Sequence, residues 1–326
     1  MVKVRSSRKG KPKTETQLSM TVRGPSGRLT TAPLVIIRNP VAGRRRERFF
    51  RRILSAIERQ GVEAVLMETA HAGHAEQLAQ LAVEQGCSTL VAAGGDGTIN
   101  EVINGMVTAK APELGVPLGI IPLGTANVLA VEMKLPKSSL GIARAITNGV
   151  ATPLALGEIN GRHFVMMAGA GFDAHVVKRV DLAIKKRFGQ LAYGIAILQE
   201  AFRGEKRRYR IEADGETLEA ASLVVTNGRN YGGPFILAPE ARLQDRRLYL
   251  CTFEKDGAFN VMRYLAALGT GRLTSLPDFA CRPVDEVRIE GGNGEPLQID
   301  GDSQGVLPTQ IRAVDTGLKL LYSRWS

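Results

Sequence analysis

The sequence predicts two domains of different class: a three-layer α/β domain over residues 32–149, then an antiparallel β-sandwich-like domain over residues 150–313. Three observations predict this. Between Pro33 and Gly149, short apolar runs alternate with amphipathic stretches, each pair joined by a loop. Beyond Gly149 the pattern changes to short strands separated by tight turns. At 326 residues, 44% of them hydrophobic, the chain is long enough for two ordinary cores. Residues 1–31 stand apart as a basic tail rich in Ser, Thr, Gly and Lys, a composition that predicts disorder.

The first strand candidate, Leu34-Val35-Ile36-Ile37, runs into Arg38-Asn39-Pro40-Val41-Ala42-Gly43, and Phe50, Ile53, Leu54 and Ile57 mark the apolar side of the following helix. A second unit runs from the apolar stretch 62–67 through Thr69 to a helix over Ala75–Gln85. The third strand, Thr89-Leu90-Val91-Ala92-Ala93, is uncharged and partly β-branched, as suits burial on both faces. It leads through Gly94-Gly95-Asp96-Gly97 into a helix whose apolar stripe is Ile99, Val102, Ile103, Met106 and Val107. The fourth is Leu118-Gly119-Ile120-Ile121, then Pro122-Leu123-Gly124-Thr125-Ala126-Asn127, then a helical start at Val128-Leu129-Ala130. Four such units describe a parallel sheet whose loops gather at its carboxyl edge, where ligands bind.

In the second half, Asn160-Gly161 and Asp214-Gly215 are hairpin signals. They are flanked by Leu154–Ile159 and Phe164–Met167, and by Tyr209–Ala213 and the later run Leu223-Val224-Val225. Helices are expected at Ala174–Phe188, Leu191–Phe202 and Ala258–Leu268, and further strands at Leu248–Phe253, Val284–Glu290, Leu297–Asp300 and Leu318–Tyr322. The Ala258–Leu268 helix carries Phe259, Val261, Met262, Tyr264 and Leu265, and reads either as a core helix or as one wall of an acyl groove.

The junction after the third strand carries the chemistry. Thr98 with Glu101 three residues later matches a capping box, so the helix is expected to start there with its first amide groups facing the glycine loop. Amide donors and the positive end of the helix dipole suit an anion such as phosphate. Asp96 is a carboxylate among groups arranged for phosphate, which makes it a candidate for Mg2+ chemistry. By itself the run would also serve as a plain tight turn. It is neither a Walker A loop nor Gly-x-Gly-x-x-Gly, so a dinucleotide fold is disfavoured.

Asn39-Pro40-Val41-Ala42-Gly43, then Gly94-Gly95-Asp96-Gly97-Thr98-Ile99-Asn100-Glu101-Val102, then Pro122-Leu123-Gly124-Thr125-Ala126-Asn127, in this order, resemble the diacylglycerol kinase catalytic domain family, which includes bacterial soluble lipid kinases and the sphingosine and ceramide kinases. Gly169-Ala170-Gly171-Phe172-Asp173-Ala174, Asn227-Gly228, Gly232-Gly233, Pro239-Glu240-Ala241 and Asp300-Gly301-Asp302 extend the resemblance to the end of the chain. The resemblance implies ATP bound by Asn39, Pro40, Gly43, Thr69, Gly94, Gly95, Asp96, Gly97, Thr98, Ile99, Asn100, Glu101, Gly124, Thr125 and Asn127. Asp302 would be the general base and Asp96 its catalytic partner at the phosphates. Asp245 would hold a structural Mg2+ with the main-chain carbonyls of Arg242 and Arg247, and residues 314–326 would return to the first domain. ATP on one side and a lipid headgroup on the other would then meet in an interdomain cleft.

The chain departs from the family pattern at three places. Asp302 stands where glutamate is usual, one methylene shorter. Leu243-Gln244-Asp245-Arg246 replaces Leu-Asp-Asp-Gly, which removes one carboxylate and would cost on the order of 1 kcal/mol if a positive φ were required at Arg246. Val128 follows Thr-Ala-Asn where many members carry aspartate.

Composition limits the other classes. Cys87, Cys251 and Cys281 lack metal spacing and read as reduced core thiols; His71 and His74 alone do not make a zinc site. Of the net charge of +11, residues 1–30 hold +7, from eight basic residues against Glu15 alone, without aromatic residues to stack bases. The tail therefore reads as a solvated segment or as a tether to an anionic membrane surface, and no specific nucleic acid is expected. Arg44, Arg45, Arg46, Arg48, Arg51 and Arg52 form a second basic cluster, either a solvated helix face or a contact to nucleotide or headgroup. With no apolar stretch near membrane-spanning length and no secretory signal, the expected location is cytoplasmic, peripheral at the inner face of the membrane, with homodimerisation left open. The expectation is an ATP- and Mg2+-dependent lipid kinase. The alternatives are an NAD kinase-like enzyme, which shares the Gly-Gly-Asp-Gly-Thr loop, and a nucleotide- or lipid-binding regulator without turnover.

Overall fold

Val35, Ile36 and Ile37 are completely shielded from solvent, as are Leu90, Val91, Ala92 and Ala93, because each run is covered on both faces. In the computed structural model, which describes residues 3–4, 33–42, 46–171, 208–290 and 294–324, these runs form the middle of a seven-stranded sheet. Its strands are β1 (Lys3–Val4), β2 (Leu34–Arg38), β3 (Ala64–Glu68), β4 (Thr89–Gly94), β5 (Leu118–Pro122), β6 (Val150–Pro153) and the last strand, β21 (Lys319–Tyr322). The order is β1-β3-β2-β4-β5-β21-β6, with every neighbouring pair parallel except β21 and β6.

Alternate strand residues serve opposite faces. Leu34, Ile36, Val91, Ala93 and Ile121 pack on one face with Phe50, Ile53 and Ile57 of α1 (Glu47–Glu58) and Ile142 and Ile146 of α5 (Ser139–Asn148). From the other face α2 (His74–Glu84) and α3 (Asp96–Thr108) pack together against β2 and β4. These are the three layers predicted. Because β3 lies on one side of β2 and β4 on the other, the strand order reverses between β2 and β4, and the loops leaving these two strands diverge to opposite faces.

The second unit is two antiparallel six-stranded sheets. One has the order β11-β10-β17-β20-β7-β8, formed by β7 (Leu156–Ile159), β8 (Arg162–Phe164), β10 (Tyr209–Ala213), β11 (Glu216–Ala220), β17 (Glu286–Glu290) and β20 (Thr309–Val314). The other has the order β16-β15-β12-β9-β18-β19, formed by β9 (Met167–Ala170), β12 (Ser222–Thr226), β15 (Leu248–Phe253), β16 (Phe279–Val284), β18 (Pro296–Ile299) and β19 (Asp302–Val306). Inward residues of both, among them Phe164, Tyr209 and Ile289 with Ala168, Leu223 and Leu297, share one core, so this is a β-sandwich. A small hairpin of β13 (Asn230–Tyr231) and β14 (Phe235–Ile236) and a helix, α6 (Ala258–Gly269), complete the described part.

By contacts the first unit comprises Met1–Gly124, Lys134–Pro153 and Gly317–Ser326, and the second Thr125–Met133 and Leu154–Thr316. Thr125–Met133, which contains the short helix α4 (Val128–Glu132), therefore packs with the sandwich, although it was expected in the first domain. The predicted hairpins form, with positive φ at Asn160, Gly161, Asp214 and Gly215. The partner of β10 is the nearby Glu216–Ala220, whereas Leu223-Val224-Val225 belongs to β12 in the other sheet. The expected strand Val284–Glu290 divides at Asp285 between β16 and β17, which lie in different sheets. Within the tail only Lys3–Val4 is described, as a strand beside β3; the helices expected at 174–188 and 191–202 lie outside the described residues. Cys87, Cys251 and Cys281 are free, and burial pushes the Cys87 thiol up to about 11.

Candidate active site

The loops leaving β2 and β4, on either side of the strand reversal, are joined by one side chain. Asn39 Oδ1 accepts the N–H groups of Val41 and Ala42 at 3.0 and 3.2 Å, which folds the loop back on itself. Asn39 Nδ2 donates to Thr98 Oγ1 at 3.2 Å, and the Asn39 N–H donates to Ala93 O at 2.9 Å. A third loop is drawn in at Gly94, whose carbonyl accepts Leu123 N–H at 2.8 Å and Gly124 N–H at 3.1 Å. Only glycine fits at Gly94: an added Cβ would lie 2.5 Å from Thr98 Oγ1. At Gly95 an added Cβ would already touch Gly124 Cα at 3.4 Å. The Thr69 N–H is held by Arg38 O at 2.9 Å, which sets the start of the β3–α2 loop beside the end of β2.

Helix α3 begins at Asp96 with Gly95 as an extended N-cap, three residues before the N-cap at Thr98 that the capping box implied. The box does not form. Thr98 is engaged by Asn39, and the Glu101 carboxylate reaches α2, accepting Gly73 N–H at 2.9 Å and Ala75 N–H at 3.1 Å. Glu101, expected at the nucleotide, thus caps the neighbouring helix. Ile99, also expected at the nucleotide, has its side chain in the core and its N–H donated to Gly95 O at 3.1 Å, so neither faces the loop. Asn100 is buried and accepts from Asn104 Nδ2 at 3.1 Å. What remains at the junction is the first turn of α3, from Asp96 to Thr98, at the positive end of the dipole of a 13-residue helix. Pro40 is half-buried beside it, and Gly43 lies outside the described residues.

The basic cluster nearby is partly structural. Arg46 Nη1 donates to Pro122 O at 2.9 Å, and Arg51 pairs with Glu47 at 2.7 Å. Hydrogen bonds from Arg51 and Arg38 hold the Glu47 carboxyl below its usual range against the effect of burial. Arg38, which the sequence marked only as a loop residue, pairs with both Glu47 and Glu68 and stacks on Phe50.

In the second unit Thr125 is exposed, and Asn127 is buried with φ 50°, the left-handed turn that admits α4. Asp302 opens β19 across from Ile299, after a hairpin turn in which Asp300 and Gly301 both take positive φ, 48° and 84°. The turn is anchored by Asp300, whose place in the sequence motif Asp300-Gly301-Asp302 carries no such role. The Asp300 carboxylate accepts three successive main-chain N–H groups, from Val165, Met166 and Met167, at 2.8, 2.8 and 3.0 Å. The signal was the Asp-Gly pair, the same one that marked the Asp214 hairpin.

Asp245 is half-buried in a turn where its own N–H donates to Arg242 O at 2.9 Å. Arg247 is turned to Asp285 and Asp214, and Arg246 pairs with Asp315 at 2.8 Å without a positive φ. A single carboxylate, with Gln244 before it and Arg246 and Arg247 after it in sequence, is a poor donor set for Mg2+. Among the described residues no group of three or more His, Cys, Asp or Glu side chains could hold a metal ion. In addition, none of their helices is long and apolar enough to cross a membrane.

Residues 33–159 match the family "Diacylglycerol kinase catalytic domain", and residues 166–322 match "YegS C-terminal NAD kinase beta sandwich-like domain". A protein named diacylglycerol kinase from Bacillus subtilis (strain 168) is 31% identical over 281 residues, 85% of this chain and 91% of that one. Another of that name from Staphylococcus aureus (strain MRSA252) is 30% identical over 85% of this chain and 88% of its own length. A crystal structure described as a diacylglycerol kinase from Bacillus anthracis superposes with a TM-score of 0.73 at 22% identity, covering 90% of this chain and 98% of that chain, a likeness of fold.

Proposed function

The chain belongs to the diacylglycerol kinase catalytic domain family and is a kinase of that family, and we propose that it transfers the γ-phosphate of ATP to a hydroxyl of a diacylglycerol-like or sphingoid lipid. The observation that carries this reading is the junction of three loops at Gly94, where Asn39, the first turn of α3 and Gly124 are tied together beside the point at which the strand order reverses. At this junction the first turn of α3 presents its amide groups and the positive end of the helix dipole, which stabilise phosphate oxygens.

Phosphoryl transfer requires little covalent work from the protein. In the proposed reaction Asp302 accepts the proton of the lipid hydroxyl, the freed oxygen attacks the γ-phosphorus, and the bond to the bridging oxygen breaks to release ADP. The first turn of α3 holds the phosphates, with the loop residues from Asn39 to Ala42 and Gly124 lining the site around it, while Thr69, Thr125 and Asn127 serve the rest of the nucleotide. Asp96 is assigned to the Mg2+ that accompanies ATP, which would neutralise charge on the phosphates. No metal is assigned to Asp245. The basic tail would concentrate the enzyme on anionic lipid at the inner face of the membrane, each basic residue contributing about 1 kcal/mol near such a surface.

The test is incubation of the protein with γ-labelled ATP and Mg2+ over diacylglycerol, monoacylglycerol, sphingosine, ceramide, phosphatidylglycerol and NAD. Label in one lipid is expected, with Asp302→Asn lowering turnover by about 10²–10⁴ while ATP binding is kept. Asp96→Asn should lower both turnover and the response to Mg2+. Label in NAD alone would move the protein to the NAD kinase-like reading. Binding of ATP with no labelled product in any sample would leave a regulator.

A further inference from the structure

We infer that the outer face of α6 is a membrane-docking surface whose occupant is the headgroup and upper acyl region of an anionic bilayer, an inference that rests on the lipid-kinase reading above. Helix α6 has two apolar faces. Val261, Tyr264 and Ala267 are buried, and Tyr264 Oη donates to Asp278 Oδ2 at 2.8 Å while Arg263 pairs with the same carboxylate. On the other side Phe259 is 80% exposed and Met262, one turn along, is 45% exposed. Strand β14 packs alongside and adds Phe235, 43% exposed. A helix that faces only water carries polar residues on that side, and a core helix would have these side chains covered.

The charges around the patch select its occupant. From Gly257 to Pro277 there is no acidic residue, whereas Arg263 and Arg272 are present; from Gly228 to Ala238, which includes β14, the only charged residue is Arg229. The nearest acids in sequence on either side of α6 are engaged, Asp256 with the Gly257 N–H at 2.7 Å and Asp278 with Arg263 and Tyr264. Arg263 is held by Asp278, which leaves the exposed Arg272 after α6 and the exposed Arg229 before β14 as the cations of these segments. Exposed Phe and Met on segments of that charge match lipid headgroups above acyl chains, with the aromatic ring inserting and the two guanidinium groups meeting phosphate. A second copy of this chain would bring the same cations face to face, and the chain already carries a net charge of +11. The surface gives the enzyme a hold on the bilayer that does not depend on the basic tail.

The test uses the full chain and sucrose-loaded vesicles of phosphatidylcholine and phosphatidylglycerol, sedimented at low and at high salt. Attraction by the tail is screened at high salt, whereas apolar insertion is not. The wild type is expected to keep measurable binding at high salt, and the double variant Phe259→Ser, Met262→Ser to lose it by about tenfold or more. Both side chains are exposed, so thermal unfolding should be unchanged, and phosphorylation of a water-soluble short-chain diacylglycerol should be retained while that of vesicle-borne diacylglycerol falls. Equal vesicle binding by variant and wild type overturns the inference, as does a wild-type dimer in solution that the double variant disrupts. A wild type that phosphorylates no lipid yet sediments through Phe259 and Met262 would sink the kinase reading and leave the docking surface standing. Lipid phosphorylation with binding indifferent to both residues would do the reverse.

Discussion

Gly94 and Asp300 hold the two candidate catalytic segments by opposite means, one by having no side chain and the other by engaging both oxygens of its side chain. Gly94→Ala would place a methyl group 2.5 Å from Thr98 Oγ1, so Thr98 must move and its bond to Asn39 must lengthen. The expected cost is about 1–3 kcal/mol of stability, seen as a lowered urea midpoint, together with weaker ATP binding by calorimetric titration. Unchanged ATP affinity would show that the Asn39–Thr98 link does not shape the phosphate site. Asp300→Ala leaves three adjacent amides without their acceptor, with an expected loss of about 3 kcal/mol or more. Asp300→Asn retains Oδ1, which serves Met166 and Met167, and loses only the bond to Val165, so its loss should be smaller. Equal losses in the two variants would contradict this account.

At the level of elements, what was legible followed burial, and what was missed followed competition for partners. The strands of the first sheet could be read because covering both faces forces an unbroken apolar run such as Leu90–Ala93. Asn160-Gly161 and Asp214-Gly215 could be read because two adjacent positive φ values select those residues. The helix start at Thr98 was misread because a capping box is a local rule, and Glu101 found the N-terminal amides of α2, which are distant in sequence. The division of Val284–Glu290 was hidden for a related reason: both pieces alternate with the same period, and only the tertiary partners place them in different sheets. The short connection from Thr69 to α2 adds a pH dependence. His74 Nδ1 accepts the Ala70 N–H at 3.0 Å, and burial, with His71 stacked beside it, holds His74 below 6.5 although Glu101 pulls the other way. A histidine whose folded pKa is depressed contributes stability that is fully present above its unfolded value of about 6.5 and is lost as the pH falls through the folded value. His163 is depressed by burial in the second unit and adds to the same trend. The melting temperature is thus expected to be flat above pH 7 and to fall on acidification, with a shallower fall in His74→Gln. Hydrogen exchange at the Ala70 amide should accelerate in the same window beyond its intrinsic rate; protection that persists below pH 5 would show that His74 stays neutral there.

For the molecule as a whole, the connectivity makes the first unit depend on the last residues of the chain. Strand β21 lies between β5 and β6, so the sheet that begins at β1 is completed only after the whole sandwich has been synthesised. The strand and the residue before it bring Leu320 and Leu318, both fully buried, and Leu321, nearly so. Burying three leucines is worth about 5–9 kcal/mol, comparable with the whole stability of a typical domain, about 5–15 kcal/mol. Without β21, β6 would lose its only sheet neighbour among the described residues and β5 would present an unpaired parallel edge, a surface prone to pairing with other chains. A chain ended after Asp315 is therefore expected to lack a cooperative melt for the first unit and to aggregate, whereas the sandwich strands, which pair among themselves, retain their β signal by circular dichroism. A fragment of residues 1–153 should fail in the same way, because its missing partner is more than a hundred residues distant and local contacts cannot replace it. Adding a peptide of residues 315–326 in trans should restore ATP binding to the truncated chain. A truncated chain that melts cooperatively and binds ATP unaided would show that β21 decorates the sheet and that the first unit is self-sufficient.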